Sequence, residues 1–175
     1  MTVIVGLVED GKVYMGGDRG MSDDKFIGSM LQPKIKVIGN MLIGYAASLG
    51  AGQIAHYIEY PQPKDDNVHK YVRTVVVKTL MDAYQEYGLD FTEDEKAAAD
   101  FLIGINGHLF ELNTNDWSVA QYEQVATGSG FAYAMGSLHA TSQYDIGPKE
   151  RIKLALEASI KYSPSCQGPV DILSV

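Results

Sequence analysis

The hydroxyl side chain at the second position is the group in this chain best placed for nucleophilic chemistry. The sequence opens Met-Thr-Val-Ile-Val-Gly, so removal of Met1 would give Thr2 a free α-amine beside its hydroxyl. A nucleophile and a general base would then share one residue. Because an unperturbed α-amine has a pKa of about 7.7 to 8.0, a modest downward shift leaves much of it neutral at cytosolic pH. Many chains begin Met-Thr without catalytic consequence, so the following residues decide the interpretation.

An aspartate and a lysine follow Thr2 at equal spacing. Asp18 lies sixteen residues after Thr2, and Lys34 lies sixteen residues after Asp18. A lysine ammonium close to the threonine would disfavour protonation of the α-amine and help the hydroxyl to lose its proton. Asp18 would hold that ammonium charged and in place. Alone, Asp18 is an ordinary turn former and Lys34 is a solvated charge, so the later segments decide whether they form a site.

Two later segments complete a resemblance to a known family. Residues 43–48 read Ile-Gly-Tyr-Ala-Ala-Ser, and residues 127–130 read Thr-Gly-Ser-Gly. Together with the threonine, aspartate and lysine, they resemble β-type proteasome subunits and the bacterial peptidase HslV, which are N-terminal-nucleophile threonine hydrolases. The resemblance covers essentially the whole chain. It implies a catalytic set of Thr2, Asp18, Lys34 and Ser129, an oxyanion-binding N–H from Ala47, and support from Gly130.

The chain departs from the family pattern at two places. Family members often have glycine where Ala47 stands, so a methyl group borders the cleft while the backbone N–H is kept. Near the C-terminus the family has Arg-Asp and then Ser-Gly, whereas residues 161–166 read Lys-Tyr-Ser-Pro-Ser-Cys. The orienting aspartate is therefore missing, and Ser165 is the plausible partner of the threonine. This departure favours an HslV-like or stand-alone bacterial or phage relative.

The resemblance also implies a substrate pocket. The positions that would border the side chain preceding the cut bond are largely apolar, so cleavage after medium or large apolar residues is expected, although Lys36 could lean in from a neighbouring strand. These positions are Met21, Tyr45, Leu49 and Gln53. Family membership further implies polypeptide substrates and a homo-oligomer of stacked rings that encloses the threonines. It leaves open whether an ATP-dependent unfoldase is a partner.

Two other functions compete with this interpretation. The segment Ala-Ala-Ser-Leu-Gly at residues 46–50 is a variant of the nucleophile elbow, which would make Ser48 the nucleophile and His139 its base. That elbow requires a parallel sheet, whereas the turns here predict antiparallel hairpins. Alternatively, a chain that keeps Met1 would be an inactive ring-forming or interaction module, because its threonine would lack a free amine.

Composition excludes several other classes. The chain has 175 residues, a formal net charge of −8 and one cysteine, Cys166. This length suits one domain over residues 1–175. An acidic chain with scattered lysines is not expected to bind nucleic acid, and no apolar run reaches the ~18 residues of a membrane span. A lone cysteine and the missing signal pattern favour a cytoplasmic protein. Neither the histidine spacing nor the glycine pattern predicts a metal or a cofactor.

Hydrophobic periodicity predicts the elements that must position these residues. Extended, apolar stretches bounded by turns predict strands at residues 3–9, 12–16, 32–37, 41–47, 101–105 and 108–112, one or two strands at 117–126, and a closing strand at 170–175. Apolar residues at three- and four-residue steps predict helices at 49–60, 68–87 and 130–139 and from Pro148 onward, with a charged surface connection at 93–96. This order predicts an α+β fold, a four-layer αββα sandwich of two antiparallel sheets flanked by helices, as in N-terminal-nucleophile hydrolases.

Overall fold

The computed structural model describes residues 2–22, 25–89 and 99–175, apart from the side chain of Ala47. Met1 and the predicted charged connection at residues 93–96 lie outside the described residues. The strands are β1 (Ile4–Glu9), β2 (Lys12–Asp18), β3 (Gly20–Ser22), β4 (Ile27–Ser29), β5 (Ile35–Ile38), β6 (Met41–Ala47), β7 (Ala99–Ile105), β8 (His108–Asn113), β9 (Ser118–Tyr122), β10 (Gln124–Thr127) and β11 (Val170–Ser174). The helices are α1 (Leu49–Tyr57), α2 (Val68–Tyr71), α3 (Val77–Glu86), α4 (Phe131–Thr141) and α5 (Pro148–Tyr162), and a π-helical turn (Val72–Val76) joins α2 to α3.

These elements form four layers. A four-stranded sheet of order β10-β1-β2-β11 faces a five-stranded sheet of order β5-β6-β7-β8-β9, and the paired strands in both are antiparallel. Apolar side chains from both sheets, such as Ile4, Met15 and Leu102, pack into a core between them. Helices α4 and α5 cover the outer face of the first sheet, and α1 to α3 cover that of the second. The predicted αββα sandwich is thereby confirmed.

Local turn chemistry explains the strand connections that sequence predicts best. Asp10 and Gly11 join β1 to β2 with φ angles of 50° and 70°, and Asn106 and Gly107 join β7 to β8 with 48° and 76°. Two successive positive φ values match the right-handed twist of the flanking strands, and Asp-Gly and Asn-Gly tolerate them best. These tight hairpins fix the register between neighbouring strands.

Several boundaries differ from the sequence-based prediction. Helix α1 ends at Tyr57 rather than residue 60, and the 117–126 stretch divides into two strands that join different sheets. The short ribbon of β3 paired with β4 was not predicted. Among the described helices, none is long and apolar enough to cross a membrane.

Candidate active site

The antiparallel pairing of β1 with β2 brings Thr2 and Asp18 to one edge of the four-stranded sheet. Thr2 lies just before β1, and Asp18 is the last residue of β2, whose Gly17 pairs with Ile4. The Asp18 N–H also donates to the Val3 carbonyl at 3.2 Å. Both polar residues are buried, with Thr2 3% and Asp18 0% exposed. The β1–β2 hairpin therefore brings together two residues that are sixteen positions apart in the sequence.

Asp18 is held by backbone donors from three parts of the chain. Its Oδ1 accepts the Val3 N–H at 3.0 Å, and its Oδ2 accepts the N–H groups of Gly20 at 3.1 Å and Gln167 at 3.0 Å. A carboxylate has two oxygens that accept hydrogen bonds, so these three N–H groups all find an acceptor. The arrangement fixes a negative charge in the interior next to Thr2.

Lys34 links this carboxylate to the threonine hydroxyl. Its Nζ lies 3.1 Å from Asp18 Oδ1 and also donates to Thr2 Oγ1 and to the Gly20 carbonyl. Only 3% of Lys34 is exposed. Burial lowers the pKa of Lys34 from its ordinary value, while the charge and hydrogen bond of Asp18 oppose that lowering. Three oxygen acceptors around one nitrogen match the three donors of an ammonium.

The start of helix α4 contacts the backbone of Thr2. The Thr2 N–H donates to Ser129 Oγ at 3.3 Å, while Ser129 Oγ and the Gly130 N–H donate to the Thr2 carbonyl at 3.2 and 3.4 Å. Gly128 permits this approach, since it has a φ of 89° and a Cβ there would lie 2.3 Å from the Thr2 carbonyl oxygen. Ser129 therefore lies within hydrogen-bonding distance of the nitrogen that removal of Met1 would convert into an α-amine.

The segment after α5 completes the back of the site. Cys166 Sγ lies 3.9 Å from Ser129 Oγ, and burial raises the pKa of this thiol. Ser165 lies in the turn that precedes Cys166. Its supporting role stays a prediction. Sequence reasoning missed Cys166 as a neighbour of Ser129 and Gln167 as a donor to Asp18. The Gln167 contact comes from a backbone N–H, which any residue except proline supplies, so residue type gives no signal.

The predicted oxyanion residue lies where a strand meets a helix. Ala47 is the last residue of β6 and pairs with Ala99 of β7. Ser48 caps helix α1 by accepting the Ala51 N–H at 3.3 Å. A helix N-terminus carries partial positive charge, which favours an anion nearby. Ala47 thus lies beside the positive end of α1, and the oxyanion-binding role of its N–H stays a prediction.

The alternative pair of Ser48 and His139 gains no support from this arrangement. Ser48 begins α1, which packs on the five-stranded sheet, whereas His139 is exposed in the last turn of α4 on the opposite outer layer. The paired strands of both sheets are antiparallel, and a nucleophile elbow needs a parallel sheet.

A small cavity beside Thr2 adjoins a larger one. A cavity of about 30 Å³ is lined by Thr2 and Lys34 together with the predicted pocket residues Met21, Tyr45 and Leu49. Gln53 lines a larger cavity of about 240 Å³, which also has Tyr45 and Leu49 on its wall. Both cavities also have Met30, which sequence analysis did not single out.

Tyr45 lines both of these cavities. Its side chain is 3% exposed, contacts the His56 ring edge-on at 5.1 Å, and would be 2.2 Å from a Cβ at Gly52. Burial raises the pKa of Tyr45 to about 12, so its hydroxyl stays protonated at neutral pH. Within residues 2–22, 25–89 and 99–175, no group of three or more His, Cys, Asp or Glu side chains is arranged to hold a metal ion.

The sandwich of two antiparallel sheets covered by helices on both sides is the fold of proteasome β-type subunits. Similar solved structures support this fold. BPH of Thiobacillus denitrificans in complex with epoxomicin has a TM-score of 0.82 and 20% identity, and the match covers 99% of this chain and 98% of that one. HslV of Trypanosoma brucei has a TM-score of 0.70 and 16% identity, with 99% and 98% covered.

Anbu, an ancestral beta-subunit from Yersinia bercovieri, is similar with a TM-score of 0.74 and 11% identity, and covers 99% of this chain and 81% of that one. No family model and no curated protein matches the chain. At these identities the likeness shows the fold, and the chemistry has to be argued from the residues of the site.

Proposed function

We propose that this protein is a threonine-type endopeptidase whose nucleophile is the hydroxyl of Thr2 after removal of Met1. One observation carries the proposal: Thr2 Oγ1 accepts a hydrogen bond from Lys34, whose ammonium lies 3.1 Å from the buried Asp18 carboxylate. A buried lysine–aspartate pair is expensive to desolvate, and its contact with a hydroxyl at the chain start suits nucleophile activation better than stabilisation of the fold.

The first chemical step forms an ester. Thr2 Oγ attacks the carbonyl carbon of the scissile peptide bond, and the proton of its hydroxyl passes to the neutral α-amine of Thr2, directly or through a water bridged by Ser129. The Lys34 ammonium stabilises negative charge developing on Oγ and disfavours protonation of the α-amine until the attack. Asp18 keeps Lys34 in position.

In this mechanism the N–H of Ala47, at the end of β6 and beside the start of α1, donates a hydrogen bond to the tetrahedral oxyanion. Removal of one such donor costs roughly 3 to 4 kcal/mol in other enzymes. When the intermediate collapses, the carbon–nitrogen bond breaks and the α-ammonium of Thr2 gives its proton to the leaving amine. Water then attacks the ester, the α-amine takes one of its protons, and Thr2 regains its hydroxyl as the acid product leaves.

The proposal extends to assembly, because an exposed peptidase site in a cytoplasm would be hazardous. By resemblance to the proteasome-like fold, we expect stacked homo-oligomeric rings of at least six subunits and polypeptide substrates, with an unfoldase partner left open. Light scattering at micromolar concentration should give a mass several times the 19.1 kDa of one chain. Detection of monomers only would contradict the proposed ring assembly and its enclosed compartment.

Substitution of the nucleophile tests the chemistry. Thr2→Ala should abolish hydrolysis of unstructured peptides while the protein still folds and assembles, because the Lys34 ammonium keeps two of its three acceptors, Asp18 and the Gly20 carbonyl. Ser48→Ala is the matched control and should retain activity. Hydrolysis at the wild-type rate in Thr2→Ala would contradict the threonine mechanism. A loss of activity in Ser48→Ala alone would indicate that Ser48 is the nucleophile.

Processing of the N-terminus separates the enzyme from an inactive module of the same fold. The intact mass of natively produced protein should correspond to the chain without Met1. The mass of the chain with Met1 would instead support the inactive ring or interaction module. Epoxomicin, which is bound in the similar BPH structure, supplies a probe. An adduct should map to the peptide that begins with Thr2 in the wild type and be missing in Thr2→Ala.

A further inference from the structure

The larger cavity continues from the small one beside Thr2. The cavity of about 240 Å³ shares Met30, Tyr45 and Leu49 with the cavity of about 30 Å³ that Thr2 lines. A substrate side chain lying over Tyr45 from the attacked residue would therefore point toward the larger space. The chemistry of its wall decides which side chain is accepted.

One wall of this cavity carries a fixed cation. Lys36 is half-buried, its Nζ donates to the His56 carbonyl at 2.8 Å, and the same nitrogen lies 4.2 Å from the centre of the Tyr57 ring. Both contacts hold the ammonium in place. Since an ammonium has three N–H donors and the His56 carbonyl accepts one, the group keeps donor capacity for a ligand.

In the described part of the cavity wall, no acidic side chain balances the positive charge of Lys36. Among the described residues that line either cavity, none is an aspartate or a glutamate. Burial lowers the pKa of His56 to about 4, so that ring is neutral at pH 7. The other lysine at this face, Lys34, is already paired with Asp18. The side chains of Gln32 and Gln53 add uncharged donors.

Strand geometry sets the distance from the reacting atoms to this cation. Lys36 lies in β5 and Lys34 directly precedes that strand, so their Cα atoms are about 6.5 Å apart. Lys34 Nζ donates to Thr2 Oγ1, which marks the position of the attacked carbonyl. A long side chain reaches further from there toward Lys36 than a short one.

We propose that Lys36 makes the site selective for glutamate immediately before the cut bond. This inference rests on the proposed peptidase function and differs from the apolar preference that the sequence alone predicts. A carboxylate at the end of a two-methylene side chain combines the required reach with a charge opposite to that of Lys36. Glutamine has the same shape without the charge, which makes it the matched comparison.

Peptide substrates that differ only in this residue test the proposal. The wild type should cleave the glutamate peptide with a kcat/KM about tenfold above that of the glutamine peptide, the scale of one partly screened charge contact. Lys36→Gln should bring this ratio close to one, Lys36→Arg should largely keep it, and Lys36→Glu should turn the preference toward a lysine peptide. Lys153→Gln, on the exposed face of α5, should keep the wild-type ratio.

The readouts separate this proposal from the peptidase function itself. Cleavage of the glutamine and leucine peptides reports on Thr2 chemistry, whereas the glutamate-to-glutamine ratio reports on Lys36. If no peptide is cut, the peptidase proposal fails. Selectivity can still be measured in that case from the binding of the same peptides to the Thr2→Ala protein, detected by fluorescence anisotropy. A ratio near one in the wild type, equal binding of both peptides, or a ratio that survives Lys36→Gln would overturn the assignment.

Discussion

Two neighbouring residues, Asp18 and Arg19, form ion pairs in opposite surroundings. Asp18 is 0% and its partner Lys34 3% exposed, while Arg19 and its partner Asp171 are 24% and 19% exposed in their side chains. Successive side chains of an extended segment point to opposite sides, which turns Asp18 inward and Arg19 outward. One step along the chain thus separates an interior charge pair from one at the surface.

The difference indicates what each pair is for. The outer pair is a fork in which Arg19 Nε and Nη2 donate to both Asp171 oxygens at 2.7 and 2.6 Å, and Nη1 donates to the Leu31 carbonyl. It fastens the segment after β2 to β11. The inner pair loses solvation, and such pairs seldom add net stability compared with apolar residues. Its contact with Thr2 is the reason why the proposed mechanism gives it a chemical role, and the outer pair makes no contact of that kind.

Removal of the inner cation should have the largest effect on activity. Lys34→Ala is expected to lower kcat/KM by about 10²- to 10⁴-fold, because the α-amine becomes more basic and the developing charge on Thr2 Oγ loses its partner. Peptide hydrolysis under matched conditions measures it. Lys36→Ala should lose far less on a peptide with an uncharged residue before the cut bond. Equal losses, together with lowered melting temperatures, would point to folding damage instead.

The pH profile should sharpen this prediction. If the reaction needs neutral α-amine and charged Lys34, the activity rises through the pKa of the amine and falls above the pKa of Lys34. Because burial lowers the pKa of Lys34 below 10.5, the alkaline limb should fall at lower pH than for an ordinary lysine. A rate that stays level through pH 10.5 would show that the charge on Lys34 is not required.

The sequence predicts much of this site because its spacing follows local rules. Thr2, Asp18 and Lys34 meet through hairpins and successive strands, and the Asp-Gly turn after β1 has the φ values that such dipeptides favour. The bounds of β6 were predicted correctly, since its apolar residues run without interruption. These features depend on residues near one another along the chain.

Long-range packing explains what sequence reasoning missed. The hydrogen bond from Gln167 to Asp18 joins residues 149 positions apart and uses a backbone donor. The β3–β4 ribbon is short, so it gives little periodicity to detect, and the division at Glu123 between β9 and β10 reflects pairing with two different sheets. Tertiary contacts override local preference at these places.

Removal of the inner anion should combine an activity loss with a loss of stability. Asp18→Asn leaves the Lys34 ammonium buried without its countercharge, and the amide NH₂ that replaces one oxygen faces two of the groups that now donate to Asp18. Breaking a buried pair in this way costs about 3 to 5 kcal/mol. The pKa of Lys34 should fall further, because Asp18 opposes its lowering. Urea unfolding and the alkaline limb of the pH profile measure these effects, and an unchanged midpoint with an unchanged limb would contradict them.

The outer pair should give the smallest effect and serves as the counterpart of Asp18→Asn. Arg19→Gln removes the fork to Asp171 at a position open to solvent, where salt already screens the attraction. We expect a lower melting temperature than that of the wild type, a smaller drop than Asp18→Asn gives, and an unchanged kcat/KM, because the guanidinium points away from Thr2. The drop should shrink further in 1 M salt. If Arg19→Gln instead removes activity as fully as Lys34→Ala, the two ion pairs act together, and the division between a chemical inner pair and a fastening outer pair is wrong.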